Sequence, residues 1–75
     1  MVQVNTVFFM KIRINGEQKE IADGLNIAGL LDELEIRPGR VVVELNRTII
    51  SRVAQESTSL REGDVLEIVH FVGGG

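Results

Sequence analysis

Apolar and polar residues alternate along Met10-Lys11-Ile12-Arg13-Ile14-Asn15, the period-two pattern of a half-buried strand. Asn15-Gly16 follows. It is the strongest short hairpin signal, because both central positions of a type I′ turn need φ > 0. Glu17 to Ile21 is the return strand, mostly polar, and Ala22-Asp23-Gly24 turns the chain. Asn26 is placed to cap a helix, its side chain accepting a backbone N–H from the first turn. Ile27, Leu30, Leu31 and Leu34 then recur at helical spacing as one apolar stripe, with Asp32, Glu33 and Glu35 off it. Pro38-Gly39 closes the helical region, since the residue before a proline is pushed out of the α basin.

Val41-Val42-Val43-Glu44-Leu45 is β-branched and predicts a central strand. Asn46-Arg47 makes a turn, and Thr48-Ile49-Ile50 a short strand. Ser51 to Ser59 is irregular, with room for one helical turn, and Glu62-Gly63-Asp64 turns again. Val65 to Val72 is the last strand and the most apolar, which places it at the sheet centre beside the first. A helix can cross over between parallel strands. The expected architecture is therefore α+β: a mixed sheet of four to five strands with one main helix packed on one face. Residues 10–72 form the domain. Residues 1–9 fit the scheme poorly and are read as a leader, with Met10 a possible alternative start. Residues 73–75 form a flexible glycine tail.

The chain has 75 residues, enough for one domain near the lower limit of independent folding. Its aromatics are Phe8, Phe9 and Phe71 alone, so Val, Ile and Leu must build the core. It has no cysteine, hence no disulfide, thiolate metal site or cysteine nucleophile. That suits a reducing compartment, and a cytoplasmic location is expected. The net charge of −3, with both signs interspersed, leaves no basic stripe for nucleic acid. No apolar run approaches the roughly 18–20 residues of a membrane span, and Val2 to Met10 lacks the features of a signal peptide.

An internal active site is hard to find. His70 is the single histidine, and Glu67 falls on the opposite side of the same strand. Ser51, Ser57 and Ser59 lie in turn-forming sequence without a histidine nearby. Asp32, Glu33 and Glu35 fan out from one helix as a solvated face, so no metal site is expected. Gly29 interrupts the helix, either for a close backbone approach or at a tolerated cost. No phosphate-cradling glycine motif is present.

The chemically distinctive element is the ending, Gly73-Gly74-Gly75, which directly follows the last apolar strand. Glycine lacks a Cβ and passes through narrow channels in conformations closed to other residues. The three residues reach ~10 Å when extended. Such a terminus can present its carboxylate to another protein's active site for activation as an acyl donor. The apolar character of the strand persists up to the glycines, which suggests a docking patch at Phe71 and Val72, with Val69 on the face of Phe71.

Asn15-Gly16-Glu17, Val41-Val43-Glu44-Leu45-Asn46 and above all Glu67-Ile68-Val69-His70-Phe71-Val72-Gly73-Gly74-Gly75 resemble the ThiS family of sulfur carriers, over about Met10 to Gly75. The resemblance implies a ubiquitin-like β-grasp fold and a carrier rather than an enzyme. It implies that a ThiF-like adenylyltransferase uses ATP to activate Gly75, that sulfur then replaces AMP as a thiocarboxylate, and that a ThiG-like thiazole synthase takes the sulfur. Gly73 and Gly74 would be the stalk, no bound cofactor is needed, and a chain ending at Gly75 needs no processing protease. MoaD-like carriers of the molybdopterin pathway share the tail chemistry but approach it through a proline-containing segment, whereas Pro38 is the single proline here. A β-grasp binding module with incidental glycines would fold the same way.

Overall fold

The computed structural model describes residues 8–71. The alternating segment forms β1 (Phe9–Ile14) and returns as β2 (Glu17–Ala22). Asn15 and Gly16 sit at φ 49° and 83°, as a type I′ turn requires. β1 starts at Phe9, paired with Ala22, so the sheet takes in the end of the segment expected as leader; residues 1–7 lie outside the described residues.

Helix α1 (Ile27–Glu33) starts where the sequence indicates. The Asn26 Oδ1 accepts the Gly29 N–H at 2.6 Å. Gly29 is a close-approach position, because an added Cβ would meet the Leu25 side chain at 2.7 Å. The helix stops earlier than Pro38. Glu35 adopts φ 58°, the Ile36 N–H bonds the Leu31 carbonyl at 2.9 Å, and the Glu35 N–H bonds that of Asp32 at 3.0 Å. This is a Schellman stop built without glycine. Ile36 then packs back on the core. Pro38 instead opens a short 3₁₀ turn, Pro38–Arg40, which leads into β3 (Val41–Leu45). A second turn, Asn46 and Arg47 at φ 50° and 72°, connects β3 to β4 (Thr48–Ile50). A 3₁₀ turn over Val53–Glu56 and a loop precede β5 (Val65–His70).

The strand order is β2-β1-β5-β3-β4. β5 lies parallel to β1 and antiparallel to β3, and both outer pairs are hairpins. The helix covers one face. Ile27, Leu30 and Leu31 are buried against inward residues of the middle strands, including Ile12, Val43 and Leu66. The apolar stripe read from the sequence is thus the buried one, with Leu34 half-buried at its end.

β5 is held by more than its ladders. The parallel ladder to β1 spans two residue pairs, Arg13 with Val65 and Ile14 with Leu66, before the chain turns away at Asn15. There the Asn15 side chain takes over. Its Oδ1 accepts the Ile68 N–H at 2.7 Å and its Nδ2 donates to the Ile68 carbonyl at 3.1 Å, as a further peptide group would. Across the strand, the Asn46 Oδ1 accepts the Val65 N–H at 3.0 Å and its Nδ2 donates to Asp64 Oδ1 at 3.0 Å. Two hairpin turns therefore clasp the start and middle of the last strand.

Asn15→Ala removes both bonds to Ile68 and places alanine at positive φ. It should destabilise the fold by about 1–3 kcal/mol, lowering the melting temperature by roughly 4–8 °C per kcal/mol. Asn15→Gly keeps the turn conformation and isolates the contribution of the carboxamide. Thermal unfolding of the two variants beside wild type checks both values.

Candidate functional site

The pleat of β5 divides its side chains. Leu66 and Ile68 point inward and are buried under the helix. Val65, Val69 and, beyond the strand, Phe71 fall on the outer face and are exposed, Val69 to 56% and Phe71 to 63%. The apolar character of both faces thus has two causes, one face forming core and the other lying open. Val42, partly buried, stands opposite Val69 on β3 and widens the apolar surface. It was not singled out from the sequence, since a residue in the middle of a valine run carries no sign of which face it takes.

The sheet guides the chain one residue past β5. The Phe71 N–H bonds the Arg40 carbonyl at 3.0 Å, keeping the chain alongside the start of β3. Phe71 is therefore fixed at the rim, its ring in solvent. Val72, the second expected docking residue, and Gly73, Gly74 and Gly75 lie outside the described residues. Phe8 and Phe9, also exposed, are not part of this surface. β1 runs parallel to β5 with Arg13 beside Val65, which puts Phe9 at the opposite end of the sheet.

The side chains weighed as catalytic do not assemble. His70 is exposed at the end of β5, opposite Val41, while Glu67 pairs with Glu44 on the other side of the pleat. Ser51 and Ser57 serve local turns. Ser51 Oγ accepts the Ala54 N–H at 3.3 Å, and the Ser57 hydroxyl donates to the Ala54 carbonyl at 3.2 Å. Asp32, Glu33 and Glu35 are exposed. Among the described residues no group of three or more His, Cys, Asp or Glu could hold a metal ion, and no helix is long and apolar enough to cross a membrane.

A five-stranded mixed sheet of this order, with one helix across a single face, is a ubiquitin-like β-grasp domain. Residues 12–75 match the model of the ThiS family, and the chain belongs to that family. It is 38% identical over 65 residues to the sulfur carrier protein ThiS of Bacillus subtilis, covering 85% of this chain and 98% of that one. It is also 42% identical over 66 residues to a thiazole synthase of Magnetococcus marinus. That match covers 88% of this chain but 20% of the relative, so the chain spans about a fifth of the thiazole synthases it matches. Among solved structures, the thiamine biosynthesis protein ThiS of Geobacter metallireducens superposes with a TM-score of 0.77 at 35% identity, over 88% of this chain and all of that one.

Because the outer face of β5 contributes little to the core, replacing Val69 and Phe71 together by alanine should change stability by about 1 kcal/mol or less. Leu66→Ala, on the same strand but fully buried, should cost about 2–5 kcal/mol. Urea unfolding of the two variants measures the contrast.

Proposed function

We propose that this chain is a sulfur carrier of thiamine biosynthesis, and that the carboxyl group of Gly75 is its reactive centre. The observation that carries the reading is the course of β5. The strand is held at the sheet centre and fixed as far as Phe71, and in the sequence one residue, Val72, separates Phe71 from Gly73-Gly74-Gly75. Family membership supports the same role, and the similarity to a sulfur carrier protein ThiS, to thiazole synthases and to a thiamine biosynthesis protein favours the thiazole branch over the molybdopterin one.

A carboxylate is unreactive toward nucleophiles at neutral pH, so it must first gain a leaving group. An activating enzyme of the ThiF kind does this with ATP. The Gly75 carboxylate attacks the α-phosphate, pyrophosphate departs, and an acyl-adenylate remains. A sulfur nucleophile at the sulfide level then attacks the acyl carbon and expels AMP, leaving a thiocarboxylate on Gly75. Thiazole synthase takes the sulfur from that group. Every step occurs in a partner's active site, so the carrier supplies no general acid or base. Its task is delivery. Gly73 and Gly74 carry the terminus through a narrow channel, while Val69 and Phe71 present the exposed apolar surface on which the partner seats, with Val72 the next residue toward the tail. The similarity to thiazole synthases more than four times this length fits a partnership in which carrier and synthase work at close range.

Incubation with an activating enzyme, ATP and a sulfur source should raise the intact mass by about 16 Da, one oxygen exchanged for sulfur at an activated acyl carbon. Removal of Gly74-Gly75 should abolish the gain and leave the melting temperature unchanged, because glycine has no side chain to bury and chain ends tolerate truncation. Intact-protein mass spectrometry is the readout. An unmodified wild-type chain in the complete system would favour a β-grasp binding module instead.

A further inference from the structure

We infer that Arg37, Arg40 and Arg52 form a cationic collar beside the exit of the C-terminal tail, and that this collar docks carboxylates on the surface of the adenylating enzyme. The inference rests on the carrier reading. Arg37 precedes the 3₁₀ turn Pro38–Arg40 and its carbonyl accepts the Arg40 N–H at 3.0 Å. The Arg40 carbonyl in turn holds the Phe71 N–H, which ties the turn to the root of the tail. Arg52 comes from the loop after β4, yet its guanidinium lies across the same turn. A Cβ added at Gly39 would stand 3.1 Å from the Arg52 Nη1. Gly39 does not occupy the left-handed region, unlike Gly16, Gly24 and Gly63. Its lack of a side chain instead leaves room for the guanidinium.

All three arginines are exposed. None of their guanidinium groups donates a side-chain hydrogen bond among the described residues, where the side-chain donors are Asn15, Asn26, Asn46, Gln55, Ser57 and Thr58. No acidic residue interrupts the segment from Ile36 to Val43. In a chain of net charge −3 this is a local inversion of sign. Guanidinium groups at a protein surface pair best with carboxylates, in bidentate geometry. The turn that carries Arg40 is bonded to Phe71 and leads within two residues to Val42, opposite Val69, and aromatic residues with arginine are the combination enriched in interface cores. A positive pole on an otherwise acidic carrier also orients a diffusing molecule, turning its tail toward an acidic surface. On the carrier reading the tail must be activated before any sulfur chemistry begins, so the adenylating enzyme is the occupant assigned.

The test measures association of the full chain with the purified adenylating enzyme by stopped flow, at low and high salt. The Arg40→Glu/Arg52→Glu variant should associate at least about tenfold more slowly at low salt, the gap closing as salt rises. In pyrophosphate exchange its KM should rise while kcat stays unchanged, because the arginines do not touch the reacting carboxyl. Gly39→Ala keeps every charge but displaces one guanidinium, and should give an intermediate rate. Arg13→Glu and Arg61→Glu, near the start of β5, should behave as wild type. Matching melting temperatures establish that each variant is folded. A double reversal with wild-type rate and salt dependence overturns the collar alone. Wild-type protein that neither binds nor is adenylated overturns the carrier reading and the collar with it.

Discussion

The carboxamide of Asn15 makes two hydrogen bonds to the backbone of Ile68, and they carry the β1 side of the C-terminal strand past the end of its two-pair ladder. β1 and β5 are parallel, and their ladder ends after two residue pairs because β1 must turn into its hairpin. Without a further partner, the β1 side of β5 would lose its restraint halfway along. The asparagine that supplies the positive φ of the turn also supplies that partner. Asn46 repeats the arrangement on the other side, with its turn conformation local and its side chain spent on Val65 and Asp64. Each turn thus does a second task at long range. Backbone groups in a sheet interior need partners, and here a side chain stands in for one.

With β5 fixed in this way, the two faces of the strand divide their roles. The inner face, Leu66 and Ile68, closes the core beneath Ile27, Leu30 and Leu31. The outer face is released from packing, and its apolar residues stay exposed up to Phe71. A fixed strand that ends at an apolar rim gives the tail a defined starting point. The proposed delivery of a reactive terminus rests on that combination, a rigid base followed by three glycines in the sequence.

Much of this was legible in the residues. Asn15-Gly16 announced its turn, Asn26 its cap, and the spacing of Ile27, Leu30 and Leu31 the buried stripe. The apolar density of Val65 to Val72 placed that strand at the centre beside the first. Three features were not legible, each for a physical reason. The helix ends at Glu33 and the chain reverses at Glu35, a residue with no special liking for positive φ, because the returning Ile36 gains core contact there. Pro38 marked a turn start rather than a helix stop. The long-range bonds of Asn15 and Asn46 leave no trace in local pattern, since side-chain amides that bridge 53 and 18 or 19 positions follow from the finished topology. Of the expected docking residues, Val69 and Phe71 lie exposed on one face; Val72 and the glycines fall outside the described residues.

The central claim is that sulfur leaves this protein from the carboxyl carbon of Gly75. It can be tested without the activating enzyme. A chain made with an isotopically labelled sulfur already in a thiocarboxylate at Gly75 is mixed with thiazole synthase and its small-molecule substrates, without ATP or any other sulfur source. The account predicts a thiazole that carries the label and a chain returned to its ordinary carboxylate mass. An unlabelled product, or a thiocarboxylate left intact while the synthase is demonstrably active, would contradict it.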